Sequence, residues 1–253
     1  MSVIAIASLL ATQAPATLLY QPKVGASYKY AVNMDNNTQM GNSKLTLTNT
    51  MKILSVTGGV YKVQSSNTNT KMTGGMGANA PKDTSMTMTI DKYGSIKMDV
   101  KSGSALGAMF GGNDNSPVGL MFPKKPVKVG DTWTNSVDMG AMMAGAMKSS
   151  PQAKNTKATG ILNMIFKLNK LDGAAAGITC TFSGTVNMST MGAPAKSGAP
   201  QAMKMTMKMS GTSNYTVERS TGMVMSAITK TSMDMAVMGQ AMKMSQSFTQ
   251  KRI

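Results

Sequence analysis

The sequence predicts a mainly β protein with a minor α component. The expected form is one long curved antiparallel sheet with a few short helices, built from two tandem copies related by pseudo-twofold symmetry. Three observations carry this. Apolar and polar residues alternate at period two along most of the chain, and clusters of Gly, Asn, Asp and Ser interrupt the runs, as in strands with one face on a core. Helix is expected to be nearly absent, since Glu218 is the sole glutamate among 253 residues. Motifs of the first half return in the second half in the same order, the mark of an internal repeat.

Taken in order, the chain opens with an apolar run, Val3 to Ala11, followed by Ala14-Pro15-Ala16. The run has the length of a signal-peptide core and the A-x-A pattern fits a cleavage site, although the first positive charge is Lys23. Residues 1–21 are therefore expected to be a signal peptide or leader. No cysteine follows the run, so the expected product is periplasmic or secreted without a lipid anchor, or cytoplasmic if the run is not a signal.

Residues 22–126 form the first copy and 127–253 the second, both within one structural domain. Lys23, Val24, Gly25, Val32 and Met34 recur as Lys128, Val129, Gly130, Val137 and Met139, with Tyr28 answered by Trp133. Leu47, Met51 and Ile53 match Leu162, Phe166 and Leu168, while Asn49 stands opposite Met164. Further on, Gly58 matches Gly173, Val63 matches Ile178, and Met76-Gly-Ala-x-Ala80 returns as Met191-Gly-Ala-x-Ala195. The turn Ile90-Asp-Lys-Tyr-Gly-Ser-Ile96 returns as Val217-Glu-Arg-Ser-Thr-Gly-Met-Val224.

Strands are expected near 27–34, 43–56, 60–70, 84–90 and 95–101 in the first copy. In the second they fall near 132–138, 156–171, 175–188, 202–218, 222–236 and 240–252. Positive-φ turns are expected at Gly58-Gly59, Gly94 and Gly222. Short helices are expected at 104–110 and 139–147, the latter from Met139, Met142, Met143, Ala146 and Met147 at helical spacing. The Gly/Ala/Pro-rich links 71–83 and 189–201 read as loops.

Composition excludes several chemistries. There is no histidine and one cysteine, Cys180, so no intramolecular disulfide forms; the alternation Ile178, Cys180, Phe182 places that thiol in a core strand. The ten acids are thinly spread, and Asp91 and Glu218 fall at equivalent turn positions. No nucleophile elbow, phosphate loop or zinc-ligand spacing occurs, and no cofactor is implied, so the chain is read as not an enzyme. The 26 Lys and Arg against 10 acids suggest an anionic membrane surface or cell-wall polymer as partner. Arginine and stacking aromatics are too few for specific nucleic-acid reading.

The 29 methionines remain. Met86, Met88, Met203, Met205, Met207, Met209, Met223 and Met225 are candidates to line a flexible apolar face that holds a hydrophobic or anionic amphiphilic ligand. Alternatively, Met203, Met205, Met207 and Met209 form a thioether ladder for Cu(I) or Ag(I). Against the ladder, Met51, Met88 and Met164 are answered in the other copy by Phe166, Tyr215 and Asn49, exchanges that suit packing. A third reading is a structural envelope module with no small ligand.

The repeated K-V-G-x-x-Y/W openings, the D-K-Y-G-S-I and E-R-S-T-G-M-V turns and the terminal S-F-T-Q-K-R-I strand resemble a family of uncharacterised exported bacterial proteins, a domain of unknown function. More loosely, the pattern resembles half-barrel lipoprotein carriers, in which a curved sheet shelters lipid. That resemblance implies a fold, and fold does not fix function.

Overall fold

A computed structural model describes residues 14–39, 41–74, 83–98, 119–141, 143, 156–191, 202–237 and 240–253. Eleven strands follow in chain order: β1 (Ser27–Thr38), β2 (Gly41–Thr57), β3 (Val60–Gly74), β4 (Thr84–Asp91), β5 (Ile96–Met98), β6 (Thr132–Asp138), β7 (Thr156–Leu171), β8 (Ala175–Met191), β9 (Ala202–Glu218), β10 (Val224–Val237) and β11 (Gln240–Arg252). All belong to one antiparallel sheet, in the order β5-β4-β3-β2-β1-β11-β10-β9-β8-β7-β6. The mainly β class and the long antiparallel sheet read from period-two alternation are what the chain forms.

Pairing registers in the two halves run in parallel. Tyr28 pairs Met51 and Val32 pairs Leu47, as Trp133 pairs Phe166 and Val137 pairs Leu162. Ile53 faces Val63 as Leu168 faces Ile178, and the ladder shifts just past both pairs, between Ile53 and Ser55 and between Leu168 and Lys170. Ile90 faces Ile96 as Val217 faces Val224. Even the entry turns repeat, with Gly25 N–H donating to Ile53 O at 2.9 Å and Gly130 N–H to Leu168 O at 2.8 Å. β11 extends the second copy alone and joins the copies by pairing β1.

The sheet curls. β4 and β9 are separated by five intervening strands, which in a flat sheet would hold them about 29 Å apart at ~4.8 Å per strand. Yet the turns that follow them are clasped by neighbouring residues of a single segment. Tyr20 N–H donates to Lys92 O at 2.9 Å and Gln21 N–H to Thr221 O at 2.8 Å. Residues 14–21 thus form a strap across the concave face, burying Ala16, Leu18 and Tyr20. A second strap, residues 119–127, buries Phe122 and Val127 and bridges the first through Ala16 and Val127. It also ties the two sheet edges, because Phe122 N–H donates to Tyr93 O while the Trp133 indole donates to Met121 O. Strand twist accumulated over eleven strands supplies the curvature that lets short straps close the space.

Residues 14–21, expected within a leader ending at 21, pack on the sheet as the first strap. They read as leader because apolar residues interleaved with Ala and Pro look alike in either role. The apolar run Val3 to Ala11 lies outside the described residues, as do the expected helix 104–110 and most of the links 71–83 and 189–201. The helix expected at 139–147 begins as anticipated. Residues 139–141 and 143 are helical, Asp138 caps the start by accepting Ala141 N–H at 2.8 Å, and Met139 and Met143 are buried.

The concave face carries one continuous core, in which methionines stand beside Leu, Ile, Val and Phe. Trp133 stacks on its cross-strand partner Phe166 with centroids 5.5 Å apart. One patch of that face is polar. Asn49 Nδ2 donates to Ser65 Oγ at 2.7 Å and to Asn67 Oδ1 at 2.8 Å, where the second copy places Met164, Cys180 and Phe182. Cys180 is fully buried, and desolvation pushes its thiol up to about 12.

Candidate functional site

At the strapped end of the concave face the packing leaves a half-open cavity of about 110 Å³. Its walls come from both copies: Met51 and Met88 from the first, Met223 and Tyr215 from the second, Leu120 and Phe122 from one strap and Tyr20 from the other. Each wall follows from local sequence. Period-two alternation turns Met51, Met88 and Tyr215 inward, and the tight turns after β4 and β9 present Ile90, Ile96 and Met223 beside the straps.

The strap passes so close to the second turn that a Cβ at Gly222 would lie 2.1 Å from Leu19 O, and φ there is +70°. The turn after β4 repeats this contact with the other strap, at 2.4 Å from Leu120 O. Turn chemistry therefore positions the straps, and the straps complete the cavity.

The polar groups of the lining are neutral: the phenols of Tyr20, Tyr30 and Tyr215, the hydroxyl of Thr229 and the amide of Gln250. Thr229 Oγ1 is shared with Ser213 Oγ at 2.8 Å, and Tyr215 is hydrogen-bonded to Ser213. Tyr20 differs. It is 6% exposed, its ring meets Tyr61 edge-on at 5.2 Å, and its hydroxyl has no hydrogen-bond partner among the described residues. Burial, then the neighbouring Tyr30, hold it strongly in the neutral, proton-donating form. An unmet buried hydroxyl costs roughly 1–3 kcal/mol, and a ligand acceptor would recover it.

Of the eight expected ligand-lining methionines, two meet at this cavity, Met88 and Met223. Met207 and Met209 are buried in the core further along β9, and Met86 and Met205 pack half-buried against it. Met225 falls at the β-bulge between Val224 and Ser226, half-buried and outside the core cluster. Met203 lies in β9, but its side chain is outside the described residues. Among the described residues most of this face is packed core, and the straps lie over the end that keeps the cavity. Sequence reasoning missed Tyr20, Tyr30 and Tyr215. Three of only six tyrosines converge here, and aromatic rarity was the available signal.

The acids do local work. Asp91 Oδ1 accepts the amides of Tyr93 and Ser95, Asp131 accepts that of Lys128 and Asp172 that of Ala175. Glu218, equivalent to Asp91, is held by Arg252 through two 3.2 Å hydrogen bonds and by Thr221. Arg252 first, then Thr221, keep its carboxyl below the usual range. Among the described residues no group of three or more His, Cys, Asp or Glu is placed to hold a metal ion.

A model described as a family of unknown function (DUF6263) matches residues 119–224. That is 106 of the 253 residues (224 − 119 + 1), under half of the chain. The match meets the expected likeness to an uncharacterised family over the second copy. The matched residues run from the strap through β6 to β9 and the Gly222 turn. No curated protein matches the chain.

Proposed function

We propose that this protein is a non-catalytic binder of a small, neutral, largely apolar molecule carrying one hydrogen-bond acceptor. The observation that carries this is the Tyr20 hydroxyl, buried and without a partner among the described residues at the wall of an apolar cavity. Size narrows the class. A cavity of about 150 Å³ accommodates benzene, so about 110 Å³ with a half-open mouth suits a single small ring that reaches the mouth rather than a long acyl chain. Charge narrows it further, because no lysine or arginine stands among the described lining residues to compensate a buried anion.

The methionines make the test direct. Protein labelled at the methionine methyls is titrated with toluene, benzyl alcohol and benzoate while its NMR spectrum is followed. Saturable shifts of the Met51, Met88 and Met223 methyls are expected, with benzyl alcohol binding at least tenfold tighter than benzoate. Tyr20→Phe should remove the advantage of benzyl alcohol over toluene. If none of the three ligands moves those methyls, the binding reading falls. If benzoate binds as well as the alcohol, the neutral-ligand assignment falls alone.

Placement in the cell envelope rests on the apolar run Val3 to Ala11 and the A-x-A that follows. Cleavage after Ala16 keeps Leu18 and Tyr20 in the mature chain, whereas a cut at residue 21 would remove a cavity wall. N-terminal sequencing of exported protein decides between them. An anionic surface partner would meet the outer face of the sheet, where Lys29, Lys52, Lys62, Lys167, Lys208 and Lys251 are exposed. Co-sedimentation with phosphatidylglycerol vesicles that salt abolishes tests it, and equal sedimentation with phosphatidylcholine would refute it.

A further inference from the structure

We infer that the far end of the concave face holds a soft-metal site for Cu(I) or Ag(I), built across three strands rather than along one. The pairing registers place Met207, Met235 and Met242 directly opposite one another on β9, β10 and β11, and set Met209, Met233 and Met244 in the same relation one row nearer the cavity. Six thioethers thus occupy two adjacent rungs of one face. Neighbouring Cβ atoms within a rung stand about 4.5–5.5 Å apart, against ~7 Å between successive same-face positions of one strand. Each sulfur extends two bonds beyond its Cβ on freely rotating torsions, so the two outer arms of a rung close on the central one.

The chemistry of this patch is uniform. Lys208, Asp234 and Lys243 alternate with the outer rung's methionines and are exposed on the opposite face, leaving neutral soft donors on the inner face. Neutral thioethers favour a soft monovalent ion over Mg²⁺, Ca²⁺ or Zn²⁺. Burial grades toward the edge. Met207, Met209 and Met233 are buried, while Met235, Met242 and Met244 are half-buried, so the outer rung has both a dry side and a route from solvent.

The repeat comparison that argues for packing elsewhere does not reach these residues. β4 (Thr84–Asp91) answers β9 from Gly211 onward, β5 answers the first residues of β10, and β11 has no counterpart among the described residues of the first copy. Among the described residues the six methionines have no counterpart in the first copy, so no exchange with Phe, Tyr or Asn bears on them. Copper enters and leaves as Cu(I), with no change of oxidation state in the binding step.

The test uses the full chain, labelled at the methionine methyls. Ag(I), which is redox-inert, is titrated by NMR, and Cu(I) affinity is measured anaerobically against bathocuproine disulfonate. The Met207, Met235 and Met242 methyls should shift together at one equivalent. Met235→Leu should weaken Cu(I) binding at least tenfold, with Met242→Leu, at the half-buried margin, as the variant that preserves the core if the first does not fold. Met88→Leu at the cavity should leave affinity unchanged, which separates this site from the ligand reading. Affinity unchanged in both rung variants would overturn the inference. So would shifts confined to Met203 and Met205, which would restore the single-strand ladder.

Discussion

Replacing Gly222 by alanine tests how the strap is held. The added Cβ would fall 2.1 Å from Leu19 O and 2.8 Å from the Leu19 carbonyl carbon, both backbone atoms that no rotamer change can move aside. Two costs add. A non-glycine residue at φ +70° costs roughly 1–2 kcal/mol. Relieving the overlap requires the strap to lift, and the strap buries Leu18 and Tyr20, each contributing about 1.5–3 kcal/mol of apolar burial. Full detachment would therefore cost about 3–6 kcal/mol beyond the φ term, and partial lifting less.

Gly25→Ala is the internal control. Its φ is +83° but nothing lies within 4 Å of the new Cβ, so it carries the φ cost alone. Thermal unfolding should place Gly222→Ala at least about 2 kcal/mol below Gly25→Ala, a further drop of ~4–8 °C for a chain of this size. Hydrogen exchange supplies the local readout, because the Tyr20 and Gln21 amides are bonded to Lys92 O and Thr221 O. Their protection should fall in Gly222→Ala and survive in Gly25→Ala. Equal melting of the two variants with both amides still protected would refute the strap argument.

Three further outcomes are expected. Cys180, fully buried with its thiol pushed up to about 12, should react with iodoacetamide at pH 8 only after denaturant is added; rapid labelling of native protein would contradict its burial. Glu218 has a folded-state pKa depressed by Arg252 and Thr221, so its stabilisation is present above the ordinary carboxylate pKa and is lost as pH falls through the folded value. In urea titrations Glu218→Gln should therefore cost about 1 kcal/mol at pH 7 and progressively less below pH ~4, whereas a difference that grows on acidification would reverse the sign. Asn49→Met, which installs the second copy's residue, should cost about 1–3 kcal/mol, since Ser65 and Asn67 lose their buried donor; unchanged denaturant stability would show that water replaces it.

The strands were legible because a half-buried antiparallel sheet writes its two faces into adjacent positions. Runs such as Leu162, Met164, Phe166 and Leu168 declare both strand and inward face, and the residues matched between the halves, Ile53 with Leu168 and Val63 with Ile178, stand in equivalent pairs, Ile53 with Val63 and Leu168 with Ile178. The candidate site was legible in part. Met88 and Met223 could be named because methionine alternation marks an inward face, but Tyr20 sat inside a segment that reads as leader.

What the sequence determined by itself is local: period, turns, the order of the repeats and the absence of histidine. What tertiary structure decided is convergence. The strap's partners, Lys92 and Thr221, lie in turns that meet only because twist over many strands brings β4 and β9 to one side. The cavity and the two methionine rungs are likewise products of curvature and cross-strand register. Those properties sum small rotations and pairings along the whole chain, and no single window of residues contains them.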